Sequence, residues 1–259
     1  MYGKAAAQKP AWGRAPMPDD SIARRDFLKG ASAASASVAL LSVPQTTPAK
    51  AADGPGAVKP QDSNPPAQAQ GWLTLTMDEV AFFSAVADSM IPADELSPSG
   101  TDCGIPVFID RQLASAWGAG AKMYRSGPFH QGLPEQGYQL SLTPREYFAV
   151  GVRATNDWSR HSYGKEFDRL GPAERIAVLK SMEDGSAEIV NIDSKGFFQR
   201  LLAITMEGFF SDPLYGGNRN KASWRMLGFP GLPATYADKI DQYRNKRYVA
   251  EPQSIADFS

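Results

Sequence analysis

Two threonine-led tetrads constrain this chain more than any other feature. Thr76-Met77-Asp78-Glu79 and Thr143-Pro144-Arg145-Glu146 both have the form of a capping box. In such a box a threonine hydroxyl accepts from the third N–H of a helix, and the glutamate accepts from the threonine's own N–H. The residues that follow keep helical spacing in both cases. After Thr76, the apolar residues Val80, Phe83, Val86, Ala87, Met90 and Ile91 fall on one helical face, and Pro92 ends the element. After Thr143 come Tyr147, Phe148, Val150, Val152, Ala154 and Trp158, with Gly164 as the stop.

Three further helices follow from the same signals. One begins at Pro106, a residue tolerated in a first turn, and runs to Trp117 before Gly118 and Gly120. Another begins at Pro172, carries Ile176, Val178, Leu179 and Met182, and closes at Asp184-Gly185. The last spans Ser194 to Phe210 with Phe197, Phe198, Leu201, Leu202, Ile204 and Met206. Only the short Trp72-Leu73-Thr74-Leu75 alternates as a strand would. Residues 119–139 hold Gly120, Gly127, Gly132 and Gly137 with Pro128 and Pro134, and read as loop. The expected fold class is all-α: an irregular bundle of five or more helices with long Gly/Pro-rich loops and no internal repeat.

The residues in front of this bundle have a different character. Ala23-Arg24-Arg25-Asp26-Phe27-Leu28-Lys29-Gly30 resembles a twin-arginine export signal, with Arg24, Arg25, Phe27, Leu28 and Lys29 as its key residues. A weakly apolar stretch, Ala31 to Val43, follows; it is shorter than the roughly twenty residues that span a bilayer. Ala49-Lys50-Ala51 then offers a small-x-small cleavage pattern. The expected division is a signal peptide over 1–51, a flexible linker over 52–70 and a folded domain over 71–259. Pro55, Pro60, Pro65 and Pro66 give the linker its composition. No second long apolar run follows, so no membrane span is expected after the signal. The twin-arginine route carries folded proteins, often with a cofactor or partner bound.

Charge and chemistry narrow the function. The whole chain has 27 basic and 28 acidic residues; with the seven and three of the first 51 removed, 20 and 25 remain. A mildly acidic domain without a basic run gives no reason to expect nucleic acid. Arg244, Lys246 and Arg247 are interspersed with acids and read as a solvated helix end. His130 and His161 lack a second His or Cys at ligand spacing, so no metal site is expected. No C-x-x-C-H, G-x-G-x-x-G or G-x-S-x-G is present, so no haem, dinucleotide or serine nucleophile is expected in this chain. Asp94, Glu95 and Asp102 read as a solvated acidic loop, with a hard cation as the alternative. Cys103 is the only cysteine; an intermolecular disulfide and a buried inert thiol are equally open.

One stretch is unlike the rest: Glu207-Gly208-Phe209-Phe210-Ser211-Asp212-Pro213-Leu214-Tyr215-Gly216-Gly217-Asn218, continuing to Trp224-Arg225-Met226-Leu227-Gly228-Phe229-Pro230-Gly231. Turn residues alternate with large aromatics, the composition of a partner-facing loop or of a well-packed cover on the bundle. Here the sequence resembles the gluconate 2-dehydrogenase subunit 3 family, the small or gamma subunit of bacterial gluconate, fructose and glucose dehydrogenases. The Phe-x-Ser-Asp-Pro-x-Tyr-Gly-Gly-Asn…Trp…Leu-Gly-Phe-Pro-Gly run carries the likeness, supported by the leader and the Ile91-Pro92 helix exit. It covers the signal and most of Trp72 to Tyr236. Ser223 departs from it, standing where a glycine would precede the Trp.

The resemblance implies a non-catalytic accessory subunit that supplies export and helps its partner mature. That partner would be a large FAD-containing flavoprotein of the glucose-methanol-choline type, joined by a multihaem cytochrome c subunit; this chain would hold no cofactor itself. The expected location is periplasmic, with membrane association through the partner subunits after transport by the twin-arginine translocase. Asp212, Pro213, Tyr215, Gly216, Gly217, Asn218, Trp224 and Phe229 would form the partner interface, and Cys103 an intersubunit disulfide. Two other readings stay open: a free-standing enzyme with a metal at the acidic loop and His130, and an independent periplasmic binding module with its ligand at the Tyr215–Trp224 loop.

Overall fold

A computed structural model describes residues 71–259 apart from Gln131, Pro134, Glu135, Ala234 and Ser259. Among them are six α-helices: α1 (Met77–Met90), α2 (Ile105–Ala114), α3 (Pro144–Tyr163), α4 (Pro172–Asp184), α5 (Ser194–Phe210) and α6 (Ala222–Leu227). Among the described residues there is no strand, only an isolated bridge between Gly231 and Gln253. The expected all-α bundle is therefore the observed one.

Both capping boxes form. Glu79 N–H donates to the Thr76 hydroxyl at 3.3 Å while Thr76 N–H donates to the Glu79 carboxylate at 2.8 Å. The Thr143 box has the same two distances. Its Thr143 N–H and hydroxyl hold the Glu146 carboxyl below the ordinary carboxylate range. At α4 only half a box is possible: Gly171 N–H donates to Glu174 at 2.8 Å, and a glycine has no side chain to reciprocate.

Two local expectations are corrected. The second helix stops at Ala114, three residues before Trp117. The Ser115 hydroxyl and N–H both donate to the Gln112 carbonyl, at 2.7 and 3.1 Å, and its extended backbone leaves the helix. Trp72-Leu73-Thr74-Leu75 forms no strand. The N–H groups of Leu73, Thr74 and Leu75 donate instead to the Asp110 carboxylate at 2.8, 2.9 and 3.0 Å. Asp110 is 3% exposed on α2, so this clamp answers a buried charge and three backbone donors together.

The core is built around α1, which packs against α2, α3, α4 and α5. A helix so enclosed is apolar around most of its circumference. Phe82 and Ala85 are accordingly buried beside the single face that spacing picked out. Aromatic rings carry the contact across the bundle: Phe82 to Phe167 at 5.1 Å, Phe83 to Phe148 at 6.0 Å, and Phe148 to Phe197 at 6.0 Å. Such pairs add about 0.5–1.5 kcal/mol each beyond burial. Gly151 permits the last contact, since a Cβ there would lie 2.2 Å from the Phe197 ring.

Candidate functional site

The Asp212–Gly231 segment is assembled from the end of α5 outward. Asp212 turns the chain, its carboxylate accepting from Leu214 N–H at 2.9 Å. A single 3-10 turn, Pro213–Tyr215, follows. Gly217 then passes against the last turn of α5; a Cβ at this position would sit 2.1 Å from the Gly208 carbonyl oxygen. Asn218 adopts a left-handed conformation, φ 44°, which Asn tolerates better than most residues. Its side chain is wholly buried. The amide donates to the Ser211 carbonyl at 2.9 Å, and its oxygen accepts from Ser223 N–H at 2.9 Å and the Ser223 hydroxyl at 2.8 Å. Asn218 thus joins the start of the loop to the first turn of α6. Ser223, the departure from the family pattern, supplies two of these bonds, one of them through the hydroxyl that a glycine would lack.

Further bonds fix the loop to the bundle. The Trp224 indole donates to the Phe210 carbonyl at 2.9 Å, satisfying a carbonyl at the end of α5. Arg219 N–H donates to the Cys103 carbonyl at 2.9 Å, tying the loop to the turn before α2. Trp224 packs edge-on against Phe229 at 5.2 Å.

The C-terminal segment closes over this loop. Gln253 N–H donates to the Pro230 carbonyl at 3.0 Å and Leu232 N–H to the Gln253 carbonyl at 2.9 Å. Ile255 N–H donates to the second Asp212 carboxylate oxygen at 2.9 Å, and Lys221 pairs with Asp257. Burial raises the Asp257 carboxyl, but the Lys221 ammonium and Ser254 N–H together hold it below its ordinary value. Sequence reasoning missed this clasp, because no local pattern links positions 43 residues apart.

The loop residues expected at a partner interface separate into two groups. Pro213, Gly217, Asn218 and Trp224 are buried, and Asp212 and Gly216 are partly covered; these build the loop. Tyr215 and Phe229 are 48% and 45% exposed, joined by Leu214 and Leu227 at 43% and 62%. The result is a rigid backbone presenting large apolar side chains. Asp212, Lys221 and Asp257 hold this loop, Asp212 through two backbone N–H groups and Lys221 and Asp257 through their ion pair.

Cys103 lies in the core rather than in an exposed loop, at 0% exposure, its thiol 3.6 Å from the Pro98 carbonyl. The polar neighbours that suggested exposure are turn residues around an inward-facing thiol. A disulfide to another chain would require that turn to open. In the acidic loop, Asp94 accepts from Leu96 and Ser97 N–H, and Asp102 from the Ser99 hydroxyl. Among the described residues no three His, Cys, Asp or Glu side chains group as metal ligands. His130 and His161 are exposed and far apart in sequence. Arg244, Lys246 and Arg247 are exposed and none lies in a helix, with Arg244 paired to Asp241. Arg24, Arg25, Phe27, Leu28, Lys29 and the 52–70 linker lie outside the described residues. No helix among the described residues is long and apolar enough to cross a membrane.

Comparison with known proteins bears on the same region. The family model described as gluconate 2-dehydrogenase subunit 3 matches residues 77–231, from the first residue of α1 to the glycine that closes the loop. No curated protein and no solved structure matches the chain. The matched span is more than half of the sequence and contains all six helices together with the Asn218-centred loop. The chain belongs to the gluconate 2-dehydrogenase subunit 3 family.

Proposed function

We propose that this chain is the non-catalytic small subunit of a periplasmic, membrane-associated, FAD-dependent sugar or sugar-acid dehydrogenase. It supplies the twin-arginine signal that exports the complex and supports maturation of the flavoprotein subunit. FAD would reside in that large subunit, of the glucose-methanol-choline type, and haem c in a cytochrome subunit. The observation that carries this reading is the exposure of Leu214, Tyr215, Leu227 and Phe229 along a segment pinned by Asn218, within the span that matches the family. Exposed aromatics on a rigid backbone suit a protein interface, because little side-chain or loop freedom is lost on docking. The Arg24-Arg25 leader supports export in the folded state.

Affinity purification of the tagged chain from native periplasm and membrane tests the proposal. Recovery of a flavoprotein with dye-reducing activity on a sugar or sugar acid is expected. Replacing Arg24 and Arg25 by Lys is expected to leave both proteins in the cytoplasm. Recovery of the chain alone, folded and monomeric, overturns the accessory role; periplasmic activity that survives the double replacement overturns the export role.

A further inference from the structure

The turn that carries the chain out of α2 exposes side chains that neither the core nor the Asn218 loop accounts for. Residues 115–123 fold back on themselves. Gly120 N–H donates to the Trp117 carbonyl and Ala121 N–H to the Ala116 carbonyl, both at 2.9 Å, and Met123 N–H to the Gly120 carbonyl at 3.0 Å. The first turn of α3 pins this unit to the bundle. Arg145 N–H donates to the Gly118 carbonyl at 3.1 Å, and the Arg145 guanidinium to the Leu113 carbonyl at 2.9 Å. Where the long loop returns, the Tyr138 ring stacks on Tyr147 at 4.1 Å, and the Tyr138 hydroxyl donates to the Leu142 carbonyl at 3.2 Å.

On this fixed base Trp117 and Tyr124 are 47% and 77% exposed, and Lys122 and Arg125 are exposed with them. Among the described residues neither cation forms an ion pair. No Asp or Glu occurs from Arg111 to Pro134. Glu146 is the carboxylate near Arg125; its bonds from the Thr143 N–H and hydroxyl, and to a smaller extent Arg125, hold it below its ordinary range. Arg145 is exposed at the same end of α3, so three cations stand against that one carboxylate. The Asp212–Gly231 loop is different, because acids of the C-terminal segment answer its cations: Asp257 pairs with Lys221, and Glu251 with Arg225.

A lipid headgroup layer suits this combination. Its phosphates take the ammonium and guanidinium groups, and its apolar boundary takes indole and phenol rings whose N–H and O–H stay wet. An apolar protein face would strip water from Lys122 and Arg125 without replacing its bonds, and lysine is depleted in the cores of protein interfaces. After position 51 the chain has 20 basic and 25 acidic residues, so an anionic surface repels most of it and orients it through its acid-free segments.

We propose that the 115–125 turn is a contact site for an anionic lipid surface, with Trp117 and Tyr124 seated at headgroup level and Lys122 and Arg125 on lipid phosphates. Two cations and two rings make a weak, reversible contact that orients the chain on a bilayer without anchoring it. The inference is independent of the accessory-subunit reading, which places membrane association in the partner subunits.

Fluorescence of the purified full chain with vesicles of phosphatidylglycerol and brominated phosphatidylcholine tests it, since bromine quenches tryptophans that reach the acyl boundary. Quenching that Trp117→Phe removes is expected; any binding by the leader is common to all variants, so the difference reads this turn. Tyr124→Trp added to Trp117→Phe should restore quenching at the neighbouring position. Lys122→Gln with Arg125→Gln should weaken the partitioning behind this quenching about thirtyfold, each surface cation contributing about a factor of five. Far-UV circular dichroism establishes that each variant is folded; should Trp117→Phe unfold, Tyr124→Trp alone and the two charge replacements carry the test. Absence of quenching at both positions overturns the proposal, and protection of Lys122 from amine labelling in a purified complex would then give the turn to a protein partner. Equal quenching on vesicles of brominated phosphatidylcholine alone also overturns it, as does quenching that survives the charge replacements in folded protein.

Discussion

Replacing Asn218 by Ala should cost this protein about 4 kcal/mol. The amide makes three hydrogen bonds, to the Ser211 carbonyl and to the N–H and hydroxyl of Ser223, all at 2.8–2.9 Å. Asn218 and Ser223 are both at 0% exposure. Each bond is worth about 1 kcal/mol net, and a buried group left without its partner costs about 1–3 kcal/mol. Two of the stranded groups sit on Ser223, where water cannot readily replace the amide. Alanine also adopts the left-handed backbone at φ 44° less readily than Asn, adding about 1 kcal/mol. At roughly 2–4 °C per kcal/mol for a domain of this size, the melting temperature should fall by about 8–16 °C. Urea unfolding followed by circular dichroism and tryptophan fluorescence provides the free energy. Asn218→Gly separates the contributions: it relieves the backbone but loses every bond, so it should recover only about 1 kcal/mol. A loss below about 1 kcal/mol for Asn218→Ala would refute the reasoning, because the loop would then owe its shape to something other than this amide.

Three further outcomes follow from the same geometry. Asp110→Ala strands three backbone donors; it should cost about 3 kcal/mol and remove hydrogen-exchange protection from Leu73, Thr74 and Leu75, and unchanged protection would contradict the clamp. Gly217→Ala sets a Cβ 2.1 Å from the Gly208 carbonyl oxygen, a backbone atom that cannot swing aside; a loss of about 3 kcal/mol is expected by urea unfolding, and a neutral variant would show that the loop and α5 separate freely. Burial, reinforced by Asp193 and countered by Arg200, pushes the Tyr147 phenol from 10.0 up to about 12. The folded state then keeps a proton that the unfolded chain releases, so stability is full below about pH 10 and declines as pH rises towards about 12, by at most about 2–3 kcal/mol. Across that window the urea midpoint of wild type should fall relative to that of Tyr147→Phe as pH rises; a constant difference would sink the assignment.

Much of the fold was legible because its determinants are local. A capping box needs four residues, and a proline or glycine ends a helix by its own backbone preferences, so the starts of α1 and α3 and the span of α5 could be read from neighbours alone. The failures share a cause. Ser115 ended α2 early through a hydroxyl that could equally have pointed to solvent. The alternation at 72–75 was real, but the partner for its N–H groups was Asp110, a carboxylate more than thirty residues away on a helix. At Cys103 the sequence left burial and exposure equally open, and it is the turn, with its backbone outward and one side chain inward, that puts the residue in the core.

The candidate site divides in the same way. Composition marked Asp212–Phe229 as unusual, and the family likeness rested on those residues. Which of them stay exposed and which build the loop was not legible, because aromatic side chains serve both purposes. Trp224 is turned inward by its bond to the Phe210 carbonyl, whereas Tyr215 and Phe229 stay exposed. By itself the sequence determined that the chain would be helical, where most helices begin and end, and which family it belongs to, since periodicity, caps and motif spacing are properties of consecutive residues. Only the tertiary structure decided that Asn218 is a buried bridge, that the C-terminal segment clasps Asp212, and that Arg145 pins the 115–123 turn to the start of α3. Each of those depends on burial and on partners distant along the chain, and both are set only when the helices pack.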